Sequence, residues 1–102
     1  MDEGGYYTLA VWKVKEGRED EFVRAWTDVL SATFLSLDRP PVWGKLLRSV
    51  EDPRLFYSFG PWHRMQDILA MRADPRGSGA IAQVAELCDD VTPGVFVEVA
   101  SA

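Results

Sequence analysis

The chain has 102 residues, a formal net charge of −5, one cysteine and one histidine, and 47% of its residues are hydrophobic. Because domains usually contain about 100–150 residues, the sequence has room for one core, and residues 1–102 are expected to form a single domain. Four Trp, three Tyr and five Phe exclude a disordered or low-complexity protein, since such chains lack the apolar area that offsets the entropy of ordering.

Charge and apolar patterning limit the partners. Eleven Lys and Arg against 16 Asp and Glu leave no basic surface for a polyphosphate backbone, so we expect no nucleic-acid partner. No apolar run approaches the roughly 20 residues of a membrane span, which predicts no membrane partner. Residues 1–5 (MDEGG) lack the basic start of a signal peptide, so a cytoplasmic protein is expected. Cys88 and His63 are too few ligands for a structural zinc site, and neither a metal nor a cofactor is predicted.

The first half of the chain predicts a strand followed by a helix. Tyr6–Val14 alternates in residue type and is rich in aromatic and β-branched side chains, as a strand covered on both sides would be. Three acidic residues at 19–21 then favour the start of a helix. Apolar residues follow at steps of three and four, which predicts one helix packed against a sheet. They are Phe22, Val23, Trp26, Val29, Leu30, Thr33, Phe34 and Leu37. Pro40 and Pro41 end this helix.

The second half predicts a hairpin, two helical stretches and a last strand. Strands are expected at residues 43–50 and 55–59, with a turn at 51–54 and a stop at 60–62 (GPW). A short helix follows at 64–72. The proline and glycines of residues 74–79 predict a break, interpreted as a flexible loop over a cavity. Helical spacing resumes at 81–88, where Cys88 is interpreted as a small buried hydrophobic residue. Residues 89–94 break it, and residues 95–99 form the final strand.

This order, strand–helix–strand–strand–helix–strand, predicts an α+β, ferredoxin-like βαββαβ fold with an antiparallel four-stranded sheet and the helices on one face. Apolar side chains nevertheless lie on both faces of the predicted strands, among them Tyr7, Leu9 and Val11. A large uncovered apolar face usually marks an interface. We therefore expect a homodimer in which two sheets pack face to face as a dimeric α+β barrel.

Three segments also carry a family resemblance: residues 13–22 (KVKEGREDEF), 46–56 (LLRSVEDPRLF) and 57–62 (YSFGPW). Together they resemble the antibiotic biosynthesis monooxygenase-like domains of the dimeric α+β barrel superfamily, over nearly the whole chain. The resemblance implies the same dimeric fold. The superfamily includes cofactor-free oxygenases of aromatic polyketides, haem-degrading enzymes and isomerases, so it does not by itself imply one reaction.

Two subfamilies of this superfamily are disfavoured by particular residues. Haem-degrading members use an Asn, a Trp and a His at places that fall here on Ala10, Met71 and Ile81, and the chain contains no asparagine. Members that resemble quinol monooxygenases often carry a His nine residues after the Trp that ends a strand. That position is again Met71.

A cofactor-free oxygenase needs a base, a donor for a developing oxyanion and aromatic walls. The catalytic candidates are His63 and Arg72. The candidates for binding a substrate are Trp62, Trp12, Tyr57, Trp26 and Met71. Each also has a purely structural interpretation: His63 faces solvent or caps a helix, Trp26 belongs to the core, and Arg72 complements a helix dipole.

Two functions therefore stay open. The first is a cofactor-independent monooxygenase, or a related isomerase, acting on a small aromatic or polyketide-like compound between sheet and helices. The second is a non-enzymatic dimer that binds a small molecule or is purely structural. A hydrophobic cleft of a few hundred Å³ that contains Trp62, with His63 or Arg72 facing inward, would favour the enzyme.

Overall fold

The computed structural model describes residues 5–102; residues 1–4, which include most of the segment that predicts the absence of a signal peptide, lie outside this range. Nine elements follow one another within residues 5–102. They are β1 (Tyr6–Val14), α1 (Glu19–Ala25), a π-helical segment (Trp26–Ser31), α2 (Ala32–Leu35), β2 (Lys45–Arg48), β3 (Leu55–Trp62), α3 (Met65–Ala73), α4 (Pro75–Ala85) and β4 (Cys88–Val97).

The four strands form one antiparallel sheet in the order β2-β3-β1-β4. Trp12 lies opposite Phe56 in the central pair β1 and β3. Because side chains alternate along a strand, these two residues and Val14 point to the same face, where all three are buried. The helices pack on that face, and the predicted ferredoxin-like α+β fold is confirmed.

The helix predicted after β1 is present, and its middle is wound differently. Phe22 in α1 packs on Trp12 and Phe56 with ring centroids 5.4 and 4.8 Å apart, which joins this helix to the sheet. The next six residues, Trp26–Ser31, form a π-helical segment before α2 continues the same axis to Leu35. Such a widened turn is rare and is frequently found at functional sites.

The loop predicted at residues 74–79 is wrong, because these residues begin α4. Asp74 is the N-cap of this helix, and its carboxylate accepts a hydrogen bond from the Arg76 backbone N–H at 2.9 Å. Pro75 occupies the first turn, where a missing N–H has no cost. Gly77 is buried, and a Cβ there would lie 2.5 Å from the Met71 carbonyl oxygen. The glycine therefore permits α4 to pack closely on the end of α3.

Two strands extend through prolines that were expected to lie outside them: Pro61, expected to end β3, and Pro93, expected to precede β4. β3 continues through Pro61. The Pro61 carbonyl accepts a hydrogen bond from the N–H of Val42, in the irregular segment that precedes β2. The N–H and C=O of a strand residue point to the same side, so the missing N–H of Pro61 faces this irregular segment. β4 is an edge strand, so one of its sides has no neighbouring strand in the sheet. It can therefore contain Pro93, which lies opposite Ala10. It therefore spans Cys88–Val97, not residues 95–99.

The second strand is shorter than expected, since β2 covers only Lys45–Arg48. At its end the Ser49 hydroxyl accepts hydrogen bonds from the backbone N–H groups of Glu51 and Asp52, both at 3.1 Å. This side-chain turn competes with the sheet for the backbone and ends the strand. The hairpin between β2 and β3 forms as predicted.

Candidate functional site

A cavity of about 350 Å³ lies between the sheet and the helices. Three tryptophans from three different elements form its aromatic walls: Trp12 from β1, Trp26 from the start of the π-helical segment, and Trp62 from the end of β3. Apolar side chains of the helices complete the lining, including Leu30 and Met71. The volume falls within the range of about 300–1,000 Å³ that is typical of small-molecule sites.

The cavity lies where two groups of buried side chains meet. Trp12 and Leu30 belong to a core cluster around β1 and α1, whereas Trp62 and Met71 belong to a second cluster around α3. Phe34 packs against both clusters, and its ring meets that of Trp62 edge-on at 5.9 Å. The walls are thus held by residues that also stabilise the fold.

Two of the three indole N–H groups in the walls form hydrogen bonds within the sheet. The Trp12 N–H donates to the Ser58 hydroxyl at 2.9 Å, and the Trp62 N–H donates to the Thr8 hydroxyl at 3.0 Å. Both hydroxyl residues line the cavity themselves. These bonds satisfy each indole and fix the orientation of its ring, since a buried indole N–H requires an acceptor.

The third indole has no such acceptor. The Trp26 Nε1 atom is buried, yet it has no hydrogen-bond partner among the residues that the structure describes. The distal edge of this ring lies beside the segment before β2, because a Cβ on Gly44 would be 3.9 Å from Trp26 Cη2. A free, buried donor therefore belongs to a side chain that lines the cavity.

Arg72 is the charged residue of the cavity lining. It lies in the last turn of α3. Its positive charge can therefore complement the helix dipole while the residue also lines the cavity. Within residues 5–102 its guanidinium forms neither a salt bridge nor a side-chain hydrogen bond. Arg72 is exposed, and it brings a positive charge to a lining whose other residues are uncharged.

The structure brings five of the seven candidate residues together: Trp12, Trp26, Trp62, Met71 and Arg72. The other two do not line this cavity. His63 is exposed beyond the end of β3, because the strand alternation that buries Trp62 turns the next residue to solvent. Tyr57 lies on the sheet face away from the helices, opposite Leu47 and Val11, and is 44% exposed.

Sequence reasoning did not single out the hydroxyls of Thr8 and Ser58. Thr8 lies four residues before Trp12 and Ser58 four residues before Trp62, so each is on the same strand face as that tryptophan, but their hydrogen-bond partners become evident only from the register of β1 against β3. Cys88 lies outside the lining and is half-buried. Burial and the neighbouring Asp89 raise the pKa of its thiol to about 11, so it is protonated at neutral pH.

The rim of the cavity includes Trp43 and Gly44, which precede β2. Trp43 packs edge-on against Phe59 at 5.9 Å, and the Lys45 ammonium lies 5.6 Å from its ring centroid. A Cβ on Gly60 would lie 2.2 Å from the Trp43 carbonyl oxygen. Gly60 thus permits the rim to lie directly on β3.

Two further classes of feature are not found in residues 5–102. None of the helices there is both long and apolar enough to span a bilayer. The same residues contain no group of three or more His, Cys, Asp or Glu side chains placed to hold a metal ion.

The fold is shared with solved structures of low sequence identity. No protein-family model matches the sequence, and neither does any curated protein. SnoaB, a cofactor-independent oxygenase from Streptomyces nogalater, superposes with a TM-score of 0.83 at 16% identity over 96% of each chain. A conserved protein from Methanosarcina mazei Go1 gives a TM-score of 0.79 at 12% identity, again over 96% of each chain.

A structure named antibiotic biosynthesis monooxygenase gives a TM-score of 0.75 at 14% identity and covers 93% of this chain and 99% of its own. Several other similar structures carry the same name. The expected resemblance is confirmed at the level of the fold: this chain has the α+β fold of the antibiotic biosynthesis monooxygenase-like proteins.

Proposed function

We propose that this protein is a cofactor-independent monooxygenase that oxidises a small, electron-rich aromatic or polyketide-like compound. The observation that carries the proposal is the cavity itself, with three tryptophan walls and with Arg72 in its lining, whose guanidinium pairs with no residue from 5 to 102. The likeness to SnoaB, which bears the name of a cofactor-independent oxygenase, supports the reaction class.

The chemistry uses electrons from the substrate. An anthrone-like compound with an activated CH₂ group loses a proton to give an aromatic anion, which donates one electron to dioxygen. A C–O bond then forms, and the O–O bond breaks as water leaves. In sum, R₂CH₂ and O₂ give R₂C=O and H₂O, so one oxygen atom enters the product and the other leaves with both hydrogens. No external reductant is needed.

The residues of this chain contribute charge stabilisation and aromatic walls. The Arg72 guanidinium favours the anionic form of a bound phenol or enol, which lowers the pKa of the substrate and makes it a better electron donor. Trp12 and Trp62 present ring faces held in place by Ser58 and Thr8, against which a planar substrate stacks.

The lining contains no side chain that acts as a base near neutral pH, since His63 lies outside it. We infer that the substrate is acidic enough to ionise beside Arg72 with water as the proton acceptor. The same observation favours the second candidate function, a non-enzymatic protein that binds a small aromatic compound in this cavity.

Oxygen uptake with anthrone and with a reduced quinol separates the two functions. The wild-type protein is expected to consume oxygen above the uncatalysed rate. Arg72→Met keeps the apolar stem and removes the charge, and we expect a rate about 100-fold lower, the lower end of what the loss of one oxyanion donor costs, because Arg72 is exposed. His63→Ala is the control and should retain the wild-type rate. Binding without oxygen uptake would favour the non-enzymatic function, and equal rates in Arg72→Met would refute the role of Arg72.

We also propose that the protein is a homodimer. The sheet face away from the helices carries apolar side chains on all four strands, with Lys13 and Lys45 on the same face; the apolar residues include Leu9, Leu47, Tyr57, Phe59 and Phe96. Three of these side chains are about half exposed in the single chain. Pairing two such faces would remove this apolar area from water and form the barrel expected from the sequence.

A further inference from the structure

We propose that a groove between α1 and β2 is a second ligand site, which binds a small organic carboxylate. The groove has a volume of about 660 Å³ and lies beside the cavity, with which it shares Trp26 and Gly44 in its lining. The reaction proposed for the cavity does not require this second site, so the two proposals can fail separately.

Cations without a salt bridge are concentrated in this groove. Five of the eleven Lys and Arg residues form salt bridges within residues 5–102. Three of the other six line the groove: Arg24, Lys45 and Arg48. Asp20 is the one carboxylate among the described residues of the lining, so the groove is cationic although the whole chain has a net charge of −5. Such a local excess of positive charge attracts anions.

Two arginines lie on opposite walls of the groove. Arg24 is in the last turn of α1, and Arg48 is the last residue of β2. Arg48 lies opposite Phe56, which is buried against the helical layer, so Arg48 is directed to the same side of the sheet. Lys45 is opposite Phe59 on the other face. The guanidinium groups of Arg24 and Arg48 are therefore the ones that can bind an anion from the two sides of the groove.

Asp20 does not neutralise these arginines. It lies one turn before Arg24 on α1, at a spacing that allows an ion pair. Within residues 5–102 it nevertheless forms a salt bridge neither with Arg24 nor with Arg48. Both arginines are exposed, and their N–H groups are free to donate to a ligand from solution. A carboxylate matches the planar guanidinium group because its two oxygens can accept two parallel hydrogen bonds.

Apolar side chains form much of the remaining lining and favour an organic anion over an inorganic one. Leu46 and Phe56 line the groove from the sheet, and Val23 and Trp26 line it from the helical layer. Val23 is 38% exposed, so a bound hydrocarbon group can cover apolar surface that faces water in the free protein. We therefore expect a ligand that combines a carboxylate with a small apolar group.

Three probes separate the charged and apolar contributions to binding. They are hydrocinnamate, its uncharged amide hydrocinnamamide, and acetate, which has the carboxylate without the ring. Titrations followed by the NMR shifts of backbone amides report both the affinity and the place of binding. Hydrocinnamate should bind most tightly of the three. Its largest shifts should occur at Val23, Thr27 and Leu46, which line the groove and not the cavity.

Arginine variants test the charged contacts. Arg24→Met and Arg48→Met each remove one charge and keep an unbranched apolar side chain. Each should weaken hydrocinnamate binding by about two- to fivefold, the effect of one exposed ion pair, while hydrocinnamamide binding stays the same. Arg39→Met is the matched control, because Arg39 is also exposed, forms no salt bridge within residues 5–102 and lines neither the groove nor the cavity. It should leave hydrocinnamate binding unchanged.

Equal affinities for hydrocinnamate and hydrocinnamamide would overturn the proposal, as would an equal affinity for acetate, shifts centred on the cavity lining, or no binding of hydrocinnamate. An equal loss of affinity in Arg39→Met would also overturn it, because net charge alone would then attract the anion. Hydrocinnamate binding in the groove without oxygen uptake from anthrone would support this site and contradict the monooxygenase. Oxygen uptake without such binding would do the opposite.

Discussion

Gly77 and Gly79 lie two residues apart in α4 and have opposite surroundings. A Cβ on Gly77 would lie 2.5 Å from the Met71 carbonyl oxygen, whereas a Cβ on Gly79 would meet nothing within 4 Å. The first glycine serves the contact between α3 and α4, and the second has no such contact. Since Met71 lines the cavity, this contact also affects the site.

Alanine at these two positions should therefore change stability in opposite directions. Gly77→Ala forces α4 away from α3, and we expect a loss of about 1–3 kcal/mol. Gly79→Ala removes a flexible residue from a helix interior and should add about 0.5–1 kcal/mol. Urea unfolding of both variants measures the difference. A change of the same sign and size in both would contradict the packing role of Gly77.

At the scale of elements, β1 and the topology follow from the sequence because alternation and helical spacing are local signals. The extents of β3 and β4 do not, since whether Pro61 or Pro93 is tolerated depends on what lies beside it in the sheet. At residues 74–79 the Asp N-cap and Pro75 outweigh the two glycines, one of which is needed for close packing. Local composition cannot reveal that tertiary contact.

The residues of the candidate site could also be predicted only in part from the sequence. Large aromatic residues on predicted apolar faces led to Trp12, Trp26 and Trp62, and all three line the cavity. Tyr57 was placed by residue type alone, and its strand parity directs it to the other face. The unpaired donor of Trp26 could not be foreseen, because it depends on which acceptors the folded chain brings within reach.

The start of α4 should be sensitive to acid. The hydrogen bonds and charge of Arg76 hold the pKa of the Asp74 carboxyl below its ordinary value of 3.8. A carboxylate whose pKa is lower in the folded state stabilises the fold above the unfolded pKa and loses this effect as pH falls through the folded pKa. Asp74→Ala should therefore lower Tm at pH 7, and the difference from wild type should shrink below pH 3.8.

Asp28 provides the control for this experiment, because it is exposed and caps no helix. Asp28→Ala removes no N-cap hydrogen bond, so we expect it to lower Tm at pH 7 less than Asp74→Ala does. Thermal unfolding followed by circular dichroism at several pH values measures both variants. A Tm difference for Asp74→Ala that stays constant down to the lowest pH would contradict the role of its charge.

At the scale of the whole molecule, the unpaired sheet face determines the expected assembly. Leu47 on this face and Leu69 on α3 are 52% and 54% exposed. Because they are the same residue type with similar exposure on opposite layers, Leu69 is a matched control for Leu47. Leu47→Glu places a charge in the proposed interface, and we expect it to shift the protein towards a single chain of 11.5 kDa. Leu69→Glu should leave the mass unchanged.

Sedimentation equilibrium of the wild-type protein and both variants measures this assembly. A wild-type mass near one chain would refute the dimer, and dissociation by Leu69→Glu alone would place the interface on the helical layer.

The proposed monooxygenase function requires this cavity to support the insertion of one oxygen atom from dioxygen into an aromatic substrate. Mass spectrometry of the product formed from anthrone under ¹⁸O₂ tests it most directly. We predict one heavy oxygen atom per product molecule, formed faster than without protein and more slowly by Arg72→Met. A product without heavy oxygen, or product formed no faster than in buffer, would contradict the claim.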